Sequence, residues 1–122
     1  MLRNNNAGML RELGVMRADT AILREAVAQY RLALEETTAE RSPLEWAQTT
    51  GNMGEALLEI GKRDADRAAL AEAQKAFEAS REKFVAAGIT RYNGFFDTRI
   101  ADAQIAELQI TVDEKLKAAT AK

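Results

Sequence analysis

Residues 5–37 and 52–84 align without a gap at an offset of 47 residues, with eleven identities in 33 positions. Asn5 meets Asn52, Leu10 meets Leu57, Glu12 meets Glu59, Gly14 meets Gly61, and Ala18-Asp19 meets Ala65-Asp66. Further on, Ala21, Leu23, Glu25, Ala26 and Glu35 meet Ala68, Leu70, Glu72, Ala73 and Glu82, with Tyr30 opposite Phe77. A unit repeated at such a period cannot bury its apolar face alone, so neighbouring units stack, and the product is a surface rather than a reaction centre.

Local signals give the unit its parts. Ser42-Pro43-Leu44-Glu45 reads as a helix start, with Ser42 as N-cap, Pro43 in the first turn and Glu45 closing a capping box. The helix is expected to run to Ile60 and to end on Gly61 as a C-cap, followed by Lys62 and Arg63 at its negative end. By the repeat, Gly14 ends an earlier helix. Asp19 and Asp66 each cap a following helix. Those helices carry apolar stripes at helical spacing, Leu23-Ala26-Tyr30-Ala33-Thr37 and Leu70-Ala73-Phe77-Ser80-Phe84. Ala86-Ala87-Gly88 closes the later one, and Thr90 is expected to cap a last, long helix from Arg91 to Ala119. The expectation is an all-α fold of five helices, with Gly54, Ala73 and Ser80 where helix backbones come close.

The segment Asn52-Met53-Gly54-Glu55-Ala56-Leu57-Leu58-Glu59-Ile60-Gly61, followed by Ala73-x-x-x-Phe77-x-x-Ser80, resembles the tetratricopeptide repeat. The first unit keeps the spacing through Leu10, Leu13, Gly14, Ala26, Tyr30 and Ala33, with Asn6-Ala7 in place of Met53-Gly54. The resemblance covers roughly residues 5–85. It departs from the usual 34-residue period by thirteen residues, and Thr50 stands where the family often has Trp. It implies antiparallel helix hairpins stacked as a right-handed solenoid in one domain, residues 1–122, with units at about 1–41, 42–88 and a partial, capping 89–122.

Composition narrows the function. Seventeen basic and 19 acidic residues, interspersed, leave a net charge of -2 and no basic stripe for phosphates, so no nucleic acid is expected. Neither Cys nor His is present, which removes thiol nucleophiles, most transition-metal sites and most near-neutral acid–base chemistry. The spacing of Gly54 to Lys62 fails as a phosphate loop, and the Glu55/Glu59 and Glu36/Glu40 pairs read as charged helix faces. The expectation is a cytoplasmic protein that is no enzyme, with no cofactor, metal or membrane partner.

The resemblance implies a groove lined by the first helix of each hairpin. It selects Gln48, Gly51, Glu55, Leu58 and Glu59; Asn4, Gly8, Arg11 and Glu12 in the first unit; and Phe95, Thr98, Asp102 and Ile105 in the third. A protein or peptide segment is the expected occupant, held by Arg11, Glu12, Gln48, Glu55, Leu58, Glu59 and Asp102 with Phe95 as apolar anchor. Tyr92 and Phe96 are expected in the core. The last helix carries a second apolar stripe through Ala101, Ile105, Leu108, Val112 and Leu116, and the first helix exposes Leu2, Met9, Leu10, Leu13 and Met16. Burial of an end by another copy or by further repeats is therefore expected. Self-association, or a place in a longer array with no peptide ligand, is the alternative function.

Overall fold

The two equivalent aspartates set the frame. In the computed structural model, which describes residues 2–121 and the side chains from Asn4 to Ala121, five α-helices follow one another and no strand occurs among those residues. They are α1 (Leu2–Arg17), α2 (Thr20–Glu36), α3 (Pro43–Asp64), α4 (Arg67–Ala86) and α5 (Asn93–Thr120). The Asp19 carboxylate accepts from the Ala21 and Ile22 amides at 3.0 and 3.3 Å, and Asp66 accepts from Ala69 at 3.1 Å. Each satisfies donors that the helix itself leaves open. Asp66 is held below the usual carboxylate range, first by the Ala69 amide and then by the Arg24 guanidinium.

The same two joints correct the expected helix ends. Gly14 and Gly61 lie inside α1 and α3, and the left-handed residues are Ala18 and Ala65, at φ 52° and 51°. The amides of Asp19 and Asp66 donate back to the carbonyls of Gly14 and Gly61 at 2.9 and 3.0 Å, the wide hydrogen bond of a Schellman end. Each aspartate thus closes one helix and opens the next. What the glycines provide is proximity. A Cβ on Gly14 would stand 2.7 Å from Leu23 Cγ, and one on Gly61 would stand 2.4 Å from Leu70 Cγ.

Of three other helix ends, two differ from expectation. Ser42 precedes α3 with Pro43 in the first turn, but its side chain makes no cap bond; its carbonyl accepts from Trp46 at 2.9 Å instead. The capping box is not formed. α4 ends as expected, with Gly88 at φ +80° and the Ile89 amide returning to the Phe84 carbonyl at 2.8 Å. α5 begins at Asn93 rather than Arg91, and Thr90 contributes its carbonyl to the Asn93 amide rather than a side-chain cap.

Contacts between α3 and α4 fall on one helix as they rise on the other: Gly61 with Leu70, Gly54 with Phe77, Gly51 with Ser80. The pair is therefore antiparallel, as the two-residue joint requires. The Ser80 hydroxyl donates to the Ala47 carbonyl at 2.6 Å, which pays for burying a polar side chain among apolar ones. Every helix packs on its neighbours in the chain, and α1 also touches α3, as α3 touches α5. Contacts between alternate helices run in parallel. Arg24 reaches Asp66, Arg31 reaches Glu72 and Arg99 reaches Glu55.

The core is shared between the units. Leu23, Ala26, Val27 and Tyr30 from α2 meet Met53, Ala56, Leu57, Leu58 and Ile60 from α3, Leu70, Ala73 and Phe77 from α4, and Phe96 and Ala103 from α5. Both repeat stripes face inward, with Leu34 and Phe84 at their partly buried margins. Tyr92 corrects one expectation. It is exposed, standing edge-on to Phe84 with ring centroids 5.1 Å apart, while Phe96 is buried between Phe77 and Phe84.

Tyr30 occupies the place of Phe77, and its hydroxyl is buried without a hydrogen-bond partner. Burial raises the phenol above its ordinary 10.0, and nearby Arg11 opposes part of that rise although the two make no hydrogen bond of acceptable geometry. The neutral phenol therefore stabilises the fold fully below pH 10, and this contribution is lost as pH climbs from the ordinary value through the raised one. Tyr30→Phe is expected to hold or raise stability by about 1 kcal/mol near neutrality, because an unpaired buried hydroxyl is removed. It should also remove the Tyr30 share of alkaline destabilisation. Urea titrations of both proteins at pH 7 and pH 11 check this; a loss above about 1 kcal/mol at pH 7 would mean that the hydroxyl is bonded.

Candidate partner-binding groove

The first half of α3, the start of α5 and the second half of α4 enclose a hollow of about 480 Å³. Pro43 starts α3 at its rim, and the Gly88 turn sends the chain back so that Tyr92 and Phe95 arrive opposite Gln48. The floor is Gly51, Ser80 and Phe96; the walls are Leu44, Gln48, Asn52, Glu55, Phe84, Tyr92 and Phe95. Depth comes from small residues. A Cβ on Gly51 would lie 3.1 Å from the Ser80 hydroxyl, so no larger residue fits there without displacing the floor.

Two carboxylates, Glu45 and Glu55, also line the hollow. Arg99 donates through Nε to Glu55, and its guanidinium carbon lies 4.7 Å from the centre of the Phe95 ring. Asp102 adds a weaker contact to Arg99 at 3.7 Å. The cation is thereby shared among two carboxylates and an aromatic face, which holds Phe95 in place while leaving it 43% exposed. The site offers an apolar patch, two amides along the α3 wall at Gln48 and Asn52, the Glu45 carboxylate and a neutralised ion pair. Among the described residues, no three acidic side chains gather as a metal site would need.

Of the residues selected from sequence, Gln48, Glu55 and Phe95 meet in this hollow. Leu58 does not: it is 5% exposed and belongs to the core, so it is no groove contact. Gly51 is buried as well, and serves as floor. Glu59 pairs with Arg63 at 3.2 Å away from the hollow. Asp102 does not line it and borders instead a smaller hollow with Lys62, Ile105 and Gln109. Arg11 sits half-buried by Tyr30, whereas Glu12 turns to the outer side of α1, where it lines an apolar depression of about 600 Å³ with Met9, Leu10, Leu13 and Met16. The Leu2 side chain lies outside the described ones. Arg99, Leu44, Asn52 and Tyr92 were not among the selected residues. Arg99 had a signal, since it falls one helical turn after Phe95.

On α5, Ile105, Leu108, Val112 and Leu116 are 62%, 65%, 49% and 60% exposed. No helix among the described residues is long and apolar enough to cross a membrane. In comparison with known proteins, no family model, curated protein or solved structure matches this chain.

Proposed function

We propose that this chain is a noncatalytic protein–protein interaction module of tetratricopeptide-like type, a right-handed stack of helix hairpins. The hollow between α3 and α5 receives a protein segment. The observation that carries this reading is Phe95, an exposed aromatic stacked against Arg99 beside an apolar floor, with Gln48 and Asn52 across from it. An exposed ring above a recess, bordered by side-chain amides, suits one apolar anchor of a segment and the polar backbone around it. The cytoplasm, where neither thiol chemistry nor a membrane is needed, is the compartment this reading assumes.

Display selection of random peptides against the intact protein is expected to enrich segments with a single large apolar residue flanked by polar ones. Phe95→Ala, at an exposed position, should keep the fold and weaken the enriched peptides at least tenfold, which corresponds to about 1.4 kcal/mol. Enrichment no better than against an unrelated helical protein, or binding indifferent to Phe95→Ala, would overturn the proposal.

A further inference from the structure

The 47-residue offset carries on into α5. It sets Phe96, Ile100 and Ala103 on Thr49, Met53 and Ala56, and all six are buried or packed against the core. The same offset sets Ala101, Ile105 and Leu108 on Gly54, Leu58 and Gly61. Those α3 positions are buried; Phe77 and Leu70 of α4 close over the two glycines. On α5 the corresponding face is bare, and it continues through Val112 and Leu116. The face that α3 gives to the second helix of its hairpin is thus exposed on α5, with Ala101 and Leu108 where α3 has glycine.

We infer that a second copy of this chain covers that face, its α5 lying antiparallel to the first as α4 lies against α3. The spacing of the stripe fits a two-fold axis beside Leu108. Reversed about that point, Ala101 comes level with Leu116 of the second copy, and Ile105 with its Val112. Such an isologous pairing closes on itself. The helix dipoles oppose one another in this direction. Area agrees as well. The four exposed side chains offer on the order of 400–500 Å² per copy, and with the stems around them a pair approaches the roughly 1,200 Å² at which specific interfaces begin. α5 has 28 residues against 20 in α4, and Arg67 at the start of α4 pairs with Glu114, so Leu116 lies past the end of α4 and needs another helix to cover it. Phe95 is rotated about 80° round α5 from Ile105, toward Gln48 and Asn52 of α3, so pairing along the stripe leaves the hollow open.

Light scattering on the intact protein during gel filtration is expected to give twice 13.4 kDa. Leu108→Glu should give the monomer mass with an unchanged helical spectrum, a rise of at least about 100-fold in dissociation constant, and undiminished peptide binding. The absence of cysteine permits a direct reading of register. Leu108→Cys should cross-link to itself on mild oxidation, and Ile105→Cys should cross-link to Val112→Cys in a mixture but poorly to itself. A monomer at high concentration would overturn the inference. So would self-linking of all three variants, which means parallel helices, or open-ended oligomers that Met9→Glu abolishes, which means α5 seated on the outer face of α1.

Discussion

Phe77→Ala is expected to destabilise the protein by about 3–5 kcal/mol, the usual cost of emptying a fully buried aromatic position. Phe77 has no exposed surface, and its ring ties three helices together: it lies over Gly54 of α3, where a Cβ would be 2.9 Å from Cε1, and 6.4 Å from the Phe96 ring of α5. Neither neighbour can refill the space. Gly54 has no side chain to move, and Phe96 is already held against Phe84. Against a total stability of about 5–15 kcal/mol this is a large fraction, and for a chain of this size it corresponds to a fall in Tm of about 12–20 °C. Calorimetry decides the matter. A loss below about 1 kcal/mol would mean that the second hairpin does not close on this ring.

The inward stripes of α2 and α4 were legible because they depend only on helical periodicity and on one capping aspartate each, both local properties of the chain. Leu23, Ala26, Tyr30 and Ala33, and Leu70, Ala73, Phe77 and Ser80, are buried as their spacing predicts. The glycines were legible as special but not as what they are. A glycine near the end of a helix serves equally as a left-handed cap or as a point of close approach, and the sequence around Gly61 supports both. The difference lies nine residues downstream, at Leu70, and its counterpart Leu23 stands nine residues after Gly14. Only the tertiary contact decides between the two uses.

The groove was harder to read because α3 is covered on two sides, by α2 and by α4, which leaves it a narrow exposed face. Gln48 and Glu55 lie seven residues apart and share that face. Leu58, three residues beyond Glu55, is rotated about 60° further round the helix and falls into the core. Arg99 escaped notice for a different reason. Its importance comes from meeting Glu55 across 44 residues of sequence, and no local pattern encodes that pair. Tyr92 is outside the core because α5 starts two residues later than its capping pattern implies, which leaves Tyr92 at the mouth of the hollow rather than on the first inward turn.

Gly61→Ala is expected to destabilise by about 1–3 kcal/mol although alanine is intrinsically the better helix former by about 1 kcal/mol. The added Cβ would stand 2.4 Å from both Cγ and Cδ2 of Leu70 and 3.2 Å from the Asp66 carbonyl oxygen. Leu70 is fully buried, so it has no solvent to swing into, and the joint that follows is fixed by the Gly61 carbonyl accepting from Asp66. A C-cap glycine would also lose stability on substitution, and a double-mutant cycle separates the two origins. If close approach is the cause, Gly61→Ala combined with Leu70→Ala costs less than the sum of the single changes by at least about 1 kcal/mol, because each substitution makes room for the other. If a left-handed backbone were the cause, the two costs would add, since removing Leu70 does nothing for φ. The left-handed residue is in fact Ala65, so a stability loss at Gly61 that is independent of Leu70 would contradict the geometry at its most crowded contact.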